Sequence, residues 1–118
     1  MKSSSVQLFG IKNCDTMKKA RAWLAEHAVE YEFHDYKKAG LEEETLREWI
    51  SKVGWEVLLN RRGTTWRKVP QEVRDSIDEN SAVELMLANT SMIKRPVIKH
   101  DEELLVGFDE EEYSRTFS

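Results

Sequence analysis

The first 36 residues carry the pattern that most restricts how this chain can fold. Val6–Phe9 form a short apolar run that stops at Gly10, which predicts a strand. Apolar residues then recur at helical spacing, at Met17, Ala20, Leu24 and Ala28. Next they alternate with polar residues, at Val29, Tyr31 and Phe33, as in a half-buried strand. These elements predict a β-α-β unit with parallel strands and a right-handed crossover.

The rest of the chain is predicted to be a helical block followed by β-β-α. An apolar stripe over 46–53 ends at Gly54, a short helical turn follows at 55–59, and Pro70 suits the first turn of a helix with Val73 and Ile77 on one face. Ser81–Glu84 form a capping box that opens another helix. The end predicts strands at 97–100 and 104–106, then a short helix opened by Asp109, with Tyr113 and Phe117 inward.

Composition restricts the class of protein. A chain of 118 residues with 40% hydrophobic and 34% charged residues predicts one globular domain. The net charge of −4 and the absence of a basic stripe argue against a nucleic-acid partner. No apolar stretch is long enough for a membrane span, and the polar start lacks the apolar core of a signal peptide. One cysteine fits a reducing compartment, so we expect a cytoplasmic protein.

The single cysteine, Cys14, is the first candidate for chemistry. It lies between the first strand and the first helix, where unpaired backbone N–H groups and the helix dipole favour a thiolate. Asp15 or Thr16 is expected to cap this helix. The alternative is a buried, inert cysteine, which is common for this residue type. Lys12 and Lys18 lie nearby in the sequence and favour the reactive interpretation.

Arg95-Pro96 is the second candidate. The plain interpretation is a turn that begins a strand, because proline is tolerated at that position. In the predicted sheet, however, this turn lies beside the N-terminus of the first helix. A cis bond to Pro96 would turn the backbone of Arg95 toward Cys14. The guanidinium could then pair with a thiolate or an oxyanion.

Arg61, Arg62 and Arg67 form the third candidate. They are either a solvated basic loop or a second clamp for an anionic substrate. The three histidines have no spacing typical of metal ligands, so no metal site is expected.

Three separated motifs resemble the arsenate reductase (ArsC)-related family, and within it the YffB subgroup. They are Gly10 to Ala20 (GIKNCDTMKKA), Arg62 to Lys68 (RGTTWRK) and Ile93 to Pro96 (IKRP). The resemblance covers nearly the whole chain, from Val6 to about Phe117. It implies an α/β, thioredoxin-like fold with a mixed sheet over about 6–37 and 92–117 and a helical insertion over about 40–91.

The resemblance also implies roles for individual residues. Cys14 would be the redox nucleophile, Arg95 the arginine beside it and Pro96 the cis-proline of the fold. Arg62, or less directly Arg61, would match the family's arginine in the insertion. Arsenate reductases carry a third arginine near the last strand, where this chain has Leu105-Val106-Gly107-Phe108.

These roles predict a glutathione-dependent thiol or arsenate-type reductase. Glutathione is expected as co-substrate with no bound cofactor, because the chain has no second cysteine to resolve an intermediate. Lys12, Arg62 and Arg95 would bind the glutathione carboxylates, while Asn13 and Thr16 would position the loop. The other partner would be a small oxidised substrate, and we expect a monomer.

The competing hypothesis is a regulator or adaptor similar to the Spx branch of the family, which binds RNA polymerase. That branch typically carries Cys-x-x-Cys. Here Met17 occupies the second position, which excludes an intramolecular disulfide switch. A third possibility is a thioredoxin-like domain that retains no activity.

Overall fold

A four-stranded mixed sheet organises the computed structural model, which describes residues 6–12 and 14–117. Its strands are β1 (Val6–Gly10), β2 (Glu32–Asp35), β3 (Val97–His100) and β4 (Glu103–Val106). Their spatial order is β2-β1-β3-β4. β1 pairs in parallel with β2 and antiparallel with β3, and β3 and β4 form an antiparallel hairpin. This arrangement confirms the predicted order of β-α-β and β-β-α, and it is thioredoxin-like, as the resemblance implied.

The helices of the described ranges are separated by short loops. They are α1 (Asp15–Glu26), α2 (Tyr36–Ala39), α3 (Glu43–Val53), α4 (Trp55–Leu58), α5 (Thr64–Arg67), α6 (Gln71–Asp75), α7 (Glu79–Ala88) and α8 (Glu110–Phe117). A 3₁₀ turn spans Thr90–Met92.

The contacts divide the chain into two units. The first takes in the described residues of Met1–Ala39 and Arg95–Ser118, and the second is Gly40–Lys94. The first unit contains the sheet with α1, α2 and α8, and the second is helical. The interpretation of the whole chain as one domain stays a prediction.

The core of the first unit follows the predicted apolar stripe. Met17, Ala20 and Leu24 of α1 are completely buried and pack with the sheet residues Leu8 and Ile98. Ala28 was expected on the same stripe, but α1 ends at Glu26 and Ala28 is exposed with a φ of 56°. The chain leaves the helix through this left-handed residue, so the last predicted position of the stripe is wrong.

Two helix starts in the second unit differ from the predicted ones. α7 is capped by Asp78, whose carboxylate accepts a 2.9 Å hydrogen bond from the backbone N–H of Ser81. The hydroxyl of Ser81 in turn accepts a hydrogen bond from the backbone N–H of Asp78. Ser81 is therefore the third residue of α7 in this capping box, and the N-cap is Asp78 and not Ser81.

The start of α6 also differs from the predicted one. Pro70 is the N-cap of α6 and lies outside its first turn. Ile77 lies beyond α6, so it shares no helical face with Val73.

Gly10 is the last residue of β1, and the structure leaves no room for a side chain there. A Cβ at this position would overlap the Sδ and Cε atoms of Met17, which is fully buried. We therefore expect Gly10→Ala to lower the free energy of unfolding by about 1–3 kcal/mol, the usual cost of overpacking. Urea unfolding measures this change.

The matched control for Gly10→Ala is Gly63→Ala. A Cβ at Gly63 would meet only Asn60, with Nδ2 at 3.3 Å. Gly63→Ala should lower the free energy of unfolding by less than about 1 kcal/mol, because Gly63 is only the N-cap residue of α5. An unchanged urea midpoint for Gly10→Ala would contradict the packing argument.

Candidate active site around Cys14

Cys14 is the N-cap residue of α1. Its backbone is extended, with φ −141° and ψ 136°, and its carbonyl accepts a 3.0 Å hydrogen bond from the N–H of Lys18. The expectation that Asp15 or Thr16 caps the helix is therefore wrong. Asp15 and Thr16 already belong to the first turn, so their own N–H groups face the cap position. The thiol, which is half-buried, occupies the place where a capping side chain would lie.

Opposing effects set the pKa of Cys14. Burial raises the pKa of the thiol, because the charged form loses water. The backbone N–H of Met17, a hydrogen bond from Arg95, the N–H of Thr16 and the positive charge of Arg95 all lower it. The lowering effects win, so the pKa of Cys14 lies below its usual value. These N–H groups lower the pKa of the thiol although its side chain makes no capping hydrogen bond within the ordinary bonding distance.

The sheet brings Arg95 to this sulfur. Phe9 near the end of β1 pairs with Val97 at the start of β3, so the residues before β3 lie beside the loop that follows β1. The Arg95–Pro96 peptide bond is cis, as predicted. Pro96 is buried, and its carbonyl accepts a 2.8 Å hydrogen bond from the N–H of Gly107 after β4. The neighbouring strand thus anchors the turn that carries Arg95.

Tyr36 is a residue of this site that the sequence reasoning missed. Gly10 pairs with Asp35 at the ends of the parallel strands β1 and β2, and Tyr36 follows directly as the first residue of α2. Its side chain is 1% exposed, and its hydroxyl accepts a hydrogen bond from Arg95. One signal was present in the sequence: a large aromatic residue follows Asp35 and precedes two lysines, where a surface turn would carry a polar side chain.

The other predicted loop residues have different environments. Lys12 is exposed and lines an open cavity of about 410 Å³, together with Ile11, Asp35, Lys37 and Lys38. Thr16 is half-buried and directs its backbone N–H toward Cys14. Asn13 lies outside the described residues. The cavity therefore offers three lysine ammonium groups and one carboxylate.

The basic loop belongs to the second unit. The guanidinium of Arg61 lies 5.8 Å from the ring centroid of Trp55 and 6.0 Å from that of Trp66. Arg62 is exposed, and its backbone N–H donates a 3.1 Å hydrogen bond to Asn60. Since two indoles already hold Arg61, Arg62 is the better candidate for an external anion. A role for either arginine in substrate binding stays a prediction.

Among the residues that the structure describes, no three His, Cys, Asp or Glu side chains come together in a way that could hold a metal ion. In the same ranges, no helix has both the length and the apolar character needed to cross a membrane.

The comparison with known families agrees with the motifs. The chain matches the ArsC family over residues 9–116. It belongs to the ArsC family. A solved structure of a YffB protein is 51% identical to this ArsC-family chain, with a TM-score of 0.91, and the match covers 96% of this chain and 99% of that one. The solution structure of an arsenate reductase (ArsC) related protein from Brucella melitensis is 56% identical, with a TM-score of 0.80, over 100% and 98% of the two chains.

Two relatives are similar to this chain over almost its whole length. An uncharacterized protein of Haemophilus influenzae is 43% identical over 113 residues, which cover 96% of this chain and 99% of that protein. The global transcriptional regulator Spx of Streptococcus agalactiae is 32% identical over 109 residues, which cover 91% and 79%. The resemblance to the ArsC-related family and its YffB subgroup is thereby confirmed. The protein is similar to arsenate reductase-related proteins.

Proposed function

We propose that this ArsC-family protein is a glutathione-dependent thiol reductase with Cys14 as its nucleophile. One observation carries the proposal: the Arg95 guanidinium and the N–H groups of the first turn of α1 converge on Cys14 and lower its pKa. A thiolate is the nucleophilic form of cysteine, so this environment suits attack on an oxidised sulfur. The setting would be the reducing cytoplasm, where glutathione is abundant.

The reaction is a pair of thiol–disulfide exchanges. The Cys14 thiolate attacks the glutathione sulfur of a mixed disulfide, a new S–S bond forms to Cys14, and the substrate leaves as a thiolate that takes a proton from water. A second glutathione thiolate then attacks the bound glutathione sulfur, which forms glutathione disulfide and releases Cys14 as thiolate. The two electrons that reduce the substrate come from glutathione. No second protein thiol is needed, in keeping with one cysteine in the chain.

Charge complementarity supports glutathione as the thiol. Glutathione carries two carboxylates, and the cavity beside the loop contains Lys12, Lys37 and Lys38. Arg95 is the second source of positive charge and lies at the sulfur itself. Thr16 and Pro96 would shape the loop and the turn around the bound thiol.

The last strand favours a disulfide substrate over arsenate. β4 consists of Glu-Leu-Leu-Val and is followed by Gly107, so it carries no arginine. An arsenate oxyanion needs several cationic donors, whereas a disulfide needs only a good leaving group. We therefore propose a small glutathione mixed disulfide as the substrate class.

The pH dependence of alkylation tests the proposal directly. We expect the rate of reaction of the protein with iodoacetamide to rise with pH around an apparent pKa below about 8.5, the value of a free thiol. All label reports on Cys14, since it is the single cysteine, and Cys14→Ser gives the background. A midpoint at or above the free value would remove the basis of the mechanism.

The Spx relative supports a second candidate function. The chain is 32% identical to that transcriptional regulator. The alternative function is therefore a regulator or adaptor that binds a protein such as RNA polymerase. Under this hypothesis Cys14 is dispensable or serves as a one-thiol redox sensor. Capture of RNA polymerase by the tagged protein, unaffected by Cys14→Ser, would favour it.

A further inference from the structure

We propose that Tyr36 is a positioning residue: its buried hydroxyl accepts a hydrogen bond from Arg95 and holds the guanidinium against Cys14 without neutralising its charge. Arg95 donates hydrogen bonds both to the sulfur of Cys14 and to the oxygen of Tyr36. The inference rests on the proposed function, because it assigns a means of activating the same sulfur.

The topology explains why one guanidinium reaches both groups. Cys14 follows β1, Tyr36 follows β2, and Arg95 precedes β3, which pairs antiparallel with β1. All three residues therefore lie at the same edge of the sheet. Tyr36 is 1% exposed, so its ring is held by packing and its hydroxyl has a defined place. An arginine anchored at such a point loses fewer orientations when it binds the sulfur.

The chemical nature of the acceptor decides how much charge reaches Cys14. An aspartate or glutamate could orient Arg95 equally well, but its negative charge would offset the field of the guanidinium at the sulfur. A phenol accepts the hydrogen bond while staying neutral. Burial raises the pKa of Tyr36, against the lowering effect of Arg95 and with a further increase from the charges of Cys14 and Asp35. The phenol thus keeps its proton at neutral pH.

The test is the alkylation profile of Tyr36→Phe. This variant keeps the ring and removes only the acceptor, so the fold should persist, as checked by thermal unfolding. We expect the apparent pKa of Cys14 to rise by about 0.3–1 pH unit, the range of one neutral hydrogen bond. In the Arg95→Met background the same substitution should add no further rise, since Tyr36 acts through Arg95.

Tyr31→Phe is the matched control. The hydroxyl of Tyr31 accepts a 3.0 Å hydrogen bond from the Nε of Arg21, so the same substitution there also removes a phenol–arginine bond. Its profile should superimpose on that of the wild type. The inference is overturned if Tyr36→Phe also superimposes on the wild type, or if it raises the pKa equally in the Arg95→Met background.

A second measurement does not depend on the Tyr36 variant. The Cys14→Ala protein has no sulfur to hold the guanidinium of Arg95. Separate NMR signals for its two Nη groups would show that the guanidinium still rotates slowly, as expected if Tyr36 holds it. One averaged signal would overturn the inference. Both readouts work without glutathione, so a failure of glutathione-linked reduction and a failure of the Tyr36 assignment are separate results.

Discussion

Replacing Cys14 by serine should abolish glutathione-linked reduction by this protein. The serine hydroxyl stays protonated at neutral pH and forms no mixed disulfide, so both exchange steps are lost. The measurement is the formation of glutathione disulfide from glutathione and the mixed disulfide of glutathione with 2-mercaptoethanol. We expect the variant to fall to the rate without protein, while its thermal unfolding stays close to that of the wild type.

The control for this experiment is Tyr31→Phe, which leaves Cys14 and its contacts intact and should retain full turnover. Mass spectrometry of the wild type with glutathione disulfide should show one glutathione added to the protein and none added to Cys14→Ser. Equal turnover by the wild type and Cys14→Ser would contradict the reductase. If the wild type and Cys14→Ser also capture RNA polymerase equally, the result favours the regulator hypothesis over the reductase hypothesis.

Removing the guanidinium of Arg95 should have the second largest effect on the site. Arg95 acts on Cys14 twice, through a hydrogen bond and through its charge. We expect Arg95→Met, which keeps the apolar stem of the side chain, to raise the apparent pKa of Cys14 by about one pH unit. Cys14 is half-buried, and the water around it keeps the effect at the lower end of the range for charged hydrogen bonds.

The rate at neutral pH should fall by less than the change in ionisation alone suggests. A thiolate of higher pKa is intrinsically the better nucleophile, which recovers part of the loss. The midpoint of the alkylation profile is therefore the decisive quantity.

Arg21→Met is the matched control for Arg95→Met. Arg21 is also half-buried, donates to a tyrosine hydroxyl and lies 4.9 Å from the ring centroid of Phe33. Removing its guanidinium should leave the midpoint unchanged. If both variants shift the midpoint equally, the effect comes from net charge and not from the contact between Arg95 and Cys14.

The strands and the longer helices were predictable because their apolar periodicity is strong. The stripe at Met17, Ala20 and Leu24 and the hairpin of β3 and β4 follow directly from the order of apolar residues. The exact ends were harder to predict. Asp15 and Thr16 are better capping residues than cysteine, yet the loop after Gly10 is short enough that α1 already includes both.

The site was predictable where a motif marked it. Cys14 and Arg95-Pro96 stand out as residue types in informative places, and the parallel and antiparallel pairings of β1 bring them together. Tyr36 lies far from Arg95 in the sequence, and a lone tyrosine after a strand carries no local sign of its partner. Only the pairing of β1 with β2, in its actual register, places the phenol beside the guanidinium.

The environment of Cys14 also bears on the second exchange step of the proposed reaction, in which Cys14 is the leaving group. In thiol–disulfide exchange, a sulfur whose thiol has a low pKa departs faster. The dipole of α1 and the guanidinium of Arg95 stabilise the departing anion of Cys14 as well as the attacking one. Under the proposed function, glutathionylated protein should consequently be short-lived in the presence of free glutathione, and the molecule would pass electrons to its substrate without accumulating in an oxidised form.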